Sequence, residues 1–194
     1  MLDERLARAK VLPVLRAPSV RAALDQVERC VETGGLDVIE LTTSTPDWPA
    51  ALEQARAAYP DRLIGVGTVL TKADASQAID SGAGFLVSPC PAAAVRRVAA
   101  ARGVPFIEGG MTVREVLAAS NRGIAKLFPA HVGGPAFLRS VLALRPAARI
   151  IPTGGIALAD VPEWLSAGAL AVGVGGGLLT EPDLATAIRI ITTG

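Results

Sequence analysis

Gly123-Ile124-Ala125-Lys126-Leu127-Phe128-Pro129-Ala130 is an apolar, strand-like run that carries a lysine near its centre and is ended by Pro129. Burying an ammonium among such neighbours costs free energy, because desolvation favours the neutral amine. The only other lysines are Lys10 and Lys72; arginine supplies the remaining positive charge, and arginine cannot be deprotonated to act as a nucleophile. Two readings of Lys126 follow. It is a Schiff-base lysine made nucleophilic by desolvation or by a neighbouring cation, or a strand-end lysine that snorkels to solvent.

The run is one unit of a repeating pattern. Pro135 to Leu144 has a helical period after it, and Thr112 to Ser120 has one before it. Strands are predicted at Val11–Arg16, Val38–Leu41, Leu63–Gly67, Phe85–Ser88, Pro105–Glu108, Ile124–Phe128, Arg149–Pro152 and Leu170–Val174. The other predicted helices are Ser19–Thr33, Lys72–Ser81, Pro91–Arg102 and Ala159–Ala167, with one more opening at Thr45-Pro46-Asp47 and a last one from Asp183 onward. Gly34-Gly35 stops the first of these as a left-handed cap would. Pro46 and Asp47 offer the proline and acid of a first helical turn.

Eight strand–helix units are the alternation of a parallel sheet. They predict an α/β fold of the (β/α)8 TIM-barrel type, in a chain slightly below the usual ~200 to 250 residues. An open doubly wound sheet is the alternative. It usually shows a glycine-rich fingerprint after its first strand, and this chain has Arg16-Ala17-Pro18 there. With no linker, charge block or low-complexity tract, residues 1–194 are expected to form a single barrel domain with a short N-terminal helix.

The composition, 51% hydrophobic but 4% aromatic, means an aliphatic core, as suits parallel strands buried on both faces. A formal net charge of +1 without a clustered basic run argues against nucleic acid as a partner. No apolar run approaches the ~20 residues of a membrane span. Met1 to Lys10 alternates acid and base and has no apolar core of a secretory signal. Cys30 and Cys90 lack the spacing of a disulfide framework or metal site, which fits a reducing cytoplasm. Cys30 reads as core, whereas Cys90 follows a strand end. The single histidine, His131, excludes a histidine-rich metal site and reads as a loop residue near the functional site or as an acid–base group.

In a barrel the C-terminal ends of the strands carry the chemistry. Those positions hold Arg16, Glu40, Thr68, Ser88-Pro89, Glu108, Lys126 and Thr153 with the glycines after it. Alternation puts Lys126 on one face with Ile124 and Phe128, and Glu40 on one face with Val38. If both faces point inward, one amine and one carboxylate meet in an apolar cavity. Such a pair suits carbonyl chemistry: the neutral amine attacks a ketone to give an iminium, and the carboxylate moves protons over about 3 Å. Arg16 offers a planar fork to a substrate carboxylate, or an ion pair to Glu40 or Glu108. Thr153-Gly154-Gly155 and Gly175-Gly176-Gly177 follow the seventh and eighth strands, where barrels often hold phosphate. Tight turns that use glycine for positive φ are the other reading.

Taken in order, seven segments resemble the 2-keto-3-deoxy-6-phosphogluconate (KDPG) and 4-hydroxy-2-oxoglutarate aldolase family. They are Val14-Leu15-Arg16-Ala17, Ile39-Glu40-Leu41-Thr42, Gly65-Val66-Gly67-Thr68-Val69, Val87-Ser88-Pro89, Lys126-Leu127-Phe128-Pro129, Pro152-Thr153-Gly154-Gly155-Ile156 and Val172-Gly173-Val174-Gly175. The resemblance implies a class I, metal-independent aldolase on a barrel, with no cofactor. It implies that Lys126 forms the Schiff base and Glu40 is the general acid/base. It further implies that Arg16, Thr68, Pro89, Phe128 and Thr153 contact the pyruvyl and hydroxyl groups, and that Gly154, Gly155, Gly176 and Gly177 cradle the phosphate. The implied partners are pyruvate and a phosphorylated keto-sugar acid, as in Entner–Doudoroff carbohydrate metabolism, and the implied assembly is a homotrimer.

The chain departs from the family pattern at three places. Ser44 stands where some members carry an arginine, Gly177 where a serine is usual, and Glu108 where many have proline. If Glu108 points inward, it repels a substrate carboxylate or pairs with Arg16. Thr153 resembles the gluconate-type enzymes, whereas Ser44-Thr45-Pro46-Asp47-Trp48 resembles the galactonate-type ones. The substrates to consider are therefore the two C4 epimers of the phosphorylated keto acid and 4-hydroxy-2-oxoglutarate. A sugar-phosphate isomerase that uses Glu40 without covalent chemistry, and a non-catalytic sensor of phosphorylated metabolites, are the other classes.

Overall fold

The computed structural model describes residues 1–193. Eight parallel strands form one sheet: β1 (Val11–Leu15), β2 (Val38–Thr42), β3 (Leu63–Gly67), β4 (Leu86–Val87), β5 (Phe106–Gly110), β6 (Ala125–Leu127), β7 (Ile150–Pro152) and β8 (Val172–Val174). The hydrogen-bonded order is β7-β6-β5-β4-β3-β2-β1-β8. A parallel bridge between Thr153 and Gly173 joins the last pair and closes a (β/α)8 barrel. Helices α1 (Leu2–Ala9), α2 (Val20–Glu28), α3 (Trp48–Ala58), α4 (Lys72–Asp80), α5 (Ala93–Ala101), α6 (Val113–Ser120), α7 (Gly134–Leu144), α8 (Val161–Ser166), α9 (Gly176–Leu179) and α10 (Leu184–Thr193) complete the described structure.

Strand alternation splits the apolar side chains into two cores. One lies between strands and helices and gathers residues such as Val11, Ile39, Ile64, Val66 and Val172 with the inner stripes of the helices. The other fills the barrel: Leu12, Val38, Phe85, Val87, Ile107, Ile124 and Ile151 point inward. Leu2 and Leu6 of α1, one helical turn apart, join the inner core and stop the barrel at the N-terminal ends of its strands. The inner face of β2 thus runs Val38 then Glu40, and that of β6 runs from Ile124 to Lys126. Polar groups take over where the aliphatic filling ends.

Caps follow the local chemistry. Ser19 accepts from Ala22 N–H at the start of α2, and Thr71 and Thr112 form reciprocal capping boxes with Asp74 and Glu115. Among the boundaries that differ from the sequence reading, three involve residues singled out in it. The predicted Ser19–Thr33 helix becomes α2 followed by a π-helical turn, Arg29–Thr33, that buries Cys30; burial pushes the Cys30 thiol up to about 12. Pro46 and Asp47 stay outside α3, whose first turn takes its proline from Pro49, and Asp47 caps it at φ 51°. β5 runs on to Gly110, two residues beyond Glu108. No helix among the described residues is long and apolar enough to cross a membrane.

Candidate active site

Lys126 and Glu40 meet across the barrel at the end of its aliphatic filling. Lys126 Nζ donates to Glu40 Oε1 at 3.2 Å and to Oε2 at 3.4 Å. Lys126 is only 5% exposed and Glu40 is fully enclosed, so the amine does not snorkel. The Phe128 ring centroid lies 5.8 Å from Nζ. On β3 glycine provides the room: a Cβ at Gly65 would run into the Phe85 ring, and one at Gly67 would overlap the Glu40 carboxylate. The apolar walls and the carboxylate beside the amine, at the C-terminal ends of the strands, together permit attack of the amine on a carbonyl, with Glu40 placed to take or return the proton.

A set of hydroxyls fastens the neighbouring strand ends. Thr42 Oγ1 donates to Leu15 O at 3.0 Å and lies 2.7 Å from Ser44 Oγ. Thr45 Oγ1 accepts from Ala17 N–H at 3.1 Å, and Thr43 Oγ1 donates to Thr68 O at 2.9 Å. Arg16 is thereby held between two anchored residues, Leu15 and Ala17. It is exposed and makes no ion pair among the described residues, so the pairing with Glu40 or Glu108 is absent. Thr68 sits at φ 62°, in the left-handed region, and turns the chain after β3.

The β4 end is fixed by the β5 backbone. Ser88 Oγ donates to Cys90 O at 2.7 Å and accepts from Gly109 N–H at 3.3 Å. A Cβ at Gly109 would overlap the backbone of Ser88 and Pro89, so these strands approach as closely as glycine allows. Pro89 is half-buried there.

On the other side of Lys126, Thr153 is buried and presses against the bare backbone of Gly173. Gly154 has φ 96°, and its missing Cβ would stand 2.9 Å from the Phe128 ring. Gly155 has φ 69°, and its missing Cβ would stand 2.5 Å from His131 Nδ1. That ring nitrogen is itself 3.2 Å from Gly154 O, so His131 packs on this loop, as a residue near the site. Gly176 and Gly177 open the short helix α9, and a Cβ on either would meet open space. The first glycine pair is thus required by backbone and packing, whereas the second only keeps the surface bare.

Glu108 lies outside this group. Ile107 takes the inward position on β5, so Glu108 points outward between α5 and α6. It is 3% exposed, accepts from Ala92 N–H at 2.9 Å and from Arg96 Nη1 at 2.6 and 2.7 Å, and is also bridged by Arg122. Burial alone would push this carboxyl up, but the bonds from Ala92, Arg122 and Arg96 outweigh it and hold Glu108 below the ordinary carboxylate range. The strand-end position implied a residue facing the site; the extra length of β5 puts it one register step off. Gly67, Gly109 and the hydroxyls of Thr42 and Thr45 are the residues that sequence reasoning did not assign, although the Thr42–Thr45 hydroxyl run was visible.

The family described as KDPG and KHG aldolase matches residues 2–188 of this chain. The chain belongs to that family. It is an aldolase, a lyase. The 2-dehydro-3-deoxy-phosphogluconate aldolase of Treponema pallidum is 38% identical over 167 residues, 84% of this chain and 79% of that protein. A probable 2-dehydro-3-deoxy-6-phosphogalactonate aldolase of Rhizobium meliloti is 33% identical, over 87% of this chain and 81% of the relative. The solved KDPG aldolase of Legionella pneumophila, with pyruvate captured as a covalent carbinolamine, superimposes with a TM-score of 0.85 at 26% identity, covering 100% of this chain and 97% of that one. Members of the family therefore share this barrel at modest sequence identity.

Proposed function

We propose that this aldolase cleaves 2-keto-3-deoxy-6-phosphogluconate reversibly to pyruvate and glyceraldehyde 3-phosphate through a Schiff base on Lys126. The observation that carries the reading is the buried Lys126–Glu40 pair, 3.2 Å apart at the C-terminal end of an aliphatic barrel. The neutral amine adds to the C2 carbonyl, and Glu40 carries the proton between nitrogen and oxygen as water leaves and the iminium forms. Glu40 then takes the proton of the C4 hydroxyl. The C3–C4 bond breaks, its electron pair moves into the iminium to give an enamine, and the aldehyde departs. Protonation at C3 and attack by water release pyruvate and restore the amine.

Arg16, without a carboxylate partner among the described residues, is assigned to the substrate carboxylate, for which a guanidinium fork is the matching shape. Thr68, Pro89, Phe128 and Thr153 are assigned to the keto-acid and hydroxyl contacts. Gly154, Gly155, Gly176 and Gly177 are assigned to the phosphate, because backbone free of side chains lets N–H groups approach an anion. The working form is assigned as a homotrimer in the cytoplasm, acting in an Entner–Doudoroff type of pathway.

A second substrate is favoured by a specific feature. Ser44, whose hydroxyl lies 2.7 Å from Thr42 Oγ1, stands where some family members have an arginine, and the run Ser44-Thr45-Pro46-Asp47-Trp48 resembles the galactonate-type enzymes, which act on the other C4 epimer. The test is borohydride reduction in the presence of pyruvate, read by mass spectrometry, followed by rates with the two C4 epimers. An adduct on Lys126 is expected. An unmodified Lys126, or an adduct that persists in Lys126→Arg, overturns the Schiff-base reading, and the faster epimer names the substrate.

A further inference from the structure

The end of the barrel opposite Lys126 carries a charge pattern that the aldol reaction does not use. An open groove of about 550 Å³ lies there, between α1, the residues that lead into β2 and β3, and α10. Arg5, Arg8, Arg62 and Arg189 line it, with Asp37 as the only carboxylate on its walls among the described residues. Four guanidinium groups against one carboxylate is a local excess that the whole chain, at +1, does not have.

Two of the four arginines are held in place. Arg5 Nη1 lies 3.3 Å and Arg62 Nη1 3.5 Å from the same Asp37 Oδ1, and Arg5 also donates to Asp61 O at 3.1 Å. One carboxylate therefore serves two cations and leaves one charge over. Arg8 has no hydrogen-bond or ion-pair partner among the described residues, and Arg189 reaches only the Thr186 hydroxyl at 3.3 Å. Two acids act on these arginines without forming an ion pair, Glu4 on Arg8 and Asp183 on Arg189. Glu4 is held by the Met1 amine, and Asp183 accepts from Thr186 N–H. Gly34 and Gly35 put no side chain into the groove, and a Cβ on Gly35 would meet nothing.

The converging guanidinium groups give the groove a positive potential that a bound anion relieves. Guanidinium groups recognise phosphate and carboxylate oxygens through paired N–H donors. The volume falls in the roughly 300–1,000 Å³ range of small-molecule sites. We propose that this groove is a second ligand site, on the face opposite the catalytic mouth, for a small metabolite carrying at least two phosphate groups. Such a ligand bridges α1 to α10 and to the β2 and β3 entrances. Because Leu2 and Leu6 of α1 stop the barrel from below, the ligand fastens that stopper, and binding raises the thermal stability of the whole chain. The site stands independently of the substrate assigned to Lys126.

Pyrophosphate is the probe, titrated calorimetrically into the full chain at low ionic strength and repeated by thermal unfolding, with the wild type beside Arg8→Ser/Arg189→Ser. Both substituted side chains are exposed and outside the catalytic machinery, so aldol cleavage and pyruvate trapping on Lys126 stay at wild-type rates. The expected result is a salt-sensitive binding component and a raised Tm in the wild type, with affinity weakened about tenfold in the double variant. Pyrophosphate at the glycine loops would add a component common to both proteins; the component lost in the variant belongs to the groove. Arg8→Ser alone makes the same comparison should the double variant not fold. Equal binding by variant and wild type, no binding by the wild type, or an oligonucleotide that displaces pyrophosphate at lower concentration each overturns the proposal.

Discussion

Glu40 occupies the space that a side chain at Gly67 would fill: a Cβ built on Gly67 overlaps the Glu40 carboxylate. The two are separated by a single strand pairing, since Glu40 is in register with Gly65 on β3. The glycine on β3 therefore makes the room for the carboxylate proposed as acid–base group without carrying any functional group itself.

Gly67→Ala is expected to push the carboxylate off the Lys126 amine and lower kcat by about 10²-fold, the lower end of what a positioned acid–base group contributes. The fold is retained, because φ at Gly67 lies outside the left-handed region and only one side chain has to move. Steady-state kinetics with circular dichroism checks this. A Gly67→Ala enzyme with wild-type kcat would show that Glu40 does not have to remain where it is.

Glu108 gives the acid limb of stability. Its folded-state value lies below the ordinary carboxylate value of 4.5, so between the two the unfolded chain binds more protons than the folded one. The stabilisation is full above the ordinary value and drains away as pH falls through the folded one. Glu108→Gln is expected to lose about 1–3 kcal/mol near neutrality, the cost of leaving buried hydrogen-bond partners poorly matched. Its Tm is also expected to fall less steeply with acid than that of the wild type. Thermal unfolding of both proteins from neutral pH to below pH 4 measures both effects, and parallel acid limbs would remove Glu108 as the cause.

The barrel was legible in the sequence because eight aliphatic runs alternated with helix-period segments, and burial on both strand faces leaves that signature. Lys126 and Glu40 were legible for the same reason: period-two alternation fixed their faces once the barrel was assumed. Glu108 failed the same test by one residue. An apolar Phe106-Ile107 pair with glycines after it gives no alternation from which to choose the inward member. Pro46 misled because Pro49, three residues later, satisfies the first-turn rule equally well. The π-helical turn at Arg29–Thr33, which buries Cys30 and Val31, left no composition signal.

The two glycine loops are expected to respond oppositely to the same kind of change. Gly154→Ala places a Cβ against the Phe128 ring at a φ of 96°, a strain of about 1–3 kcal/mol that shifts the loop proposed to hold the phosphate. KM for the phosphorylated substrate is expected to rise about tenfold, with a lower Tm. Gly177→Ser enters open space, leaves Tm unchanged and adds a hydroxyl donor, so KM falls. A parallel response of the two variants would separate these loops from phosphate binding.

Thr45 supports Arg16 at a distance. Its buried hydroxyl accepts the Ala17 N–H at 3.1 Å, and Ala17 directly follows Arg16 at the end of β1. Valine in place of Thr45 keeps the shape but leaves that N–H buried without an acceptor, a cost of about 1–3 kcal/mol. The strand end then relaxes, and the guanidinium loses its aim. Thr45→Val is therefore expected to lower Tm and raise KM for keto-acid substrates while kcat at saturation changes little, because the Thr45 N–H bond to Thr42 O, which holds the end of the strand that carries Glu40, is a backbone bond the substitution leaves intact. Thr45→Ser, which retains the hydroxyl, restores most of the KM. If Thr45→Val lowers kcat and leaves KM alone, the bond serves the reacting pair instead of the carboxylate fork.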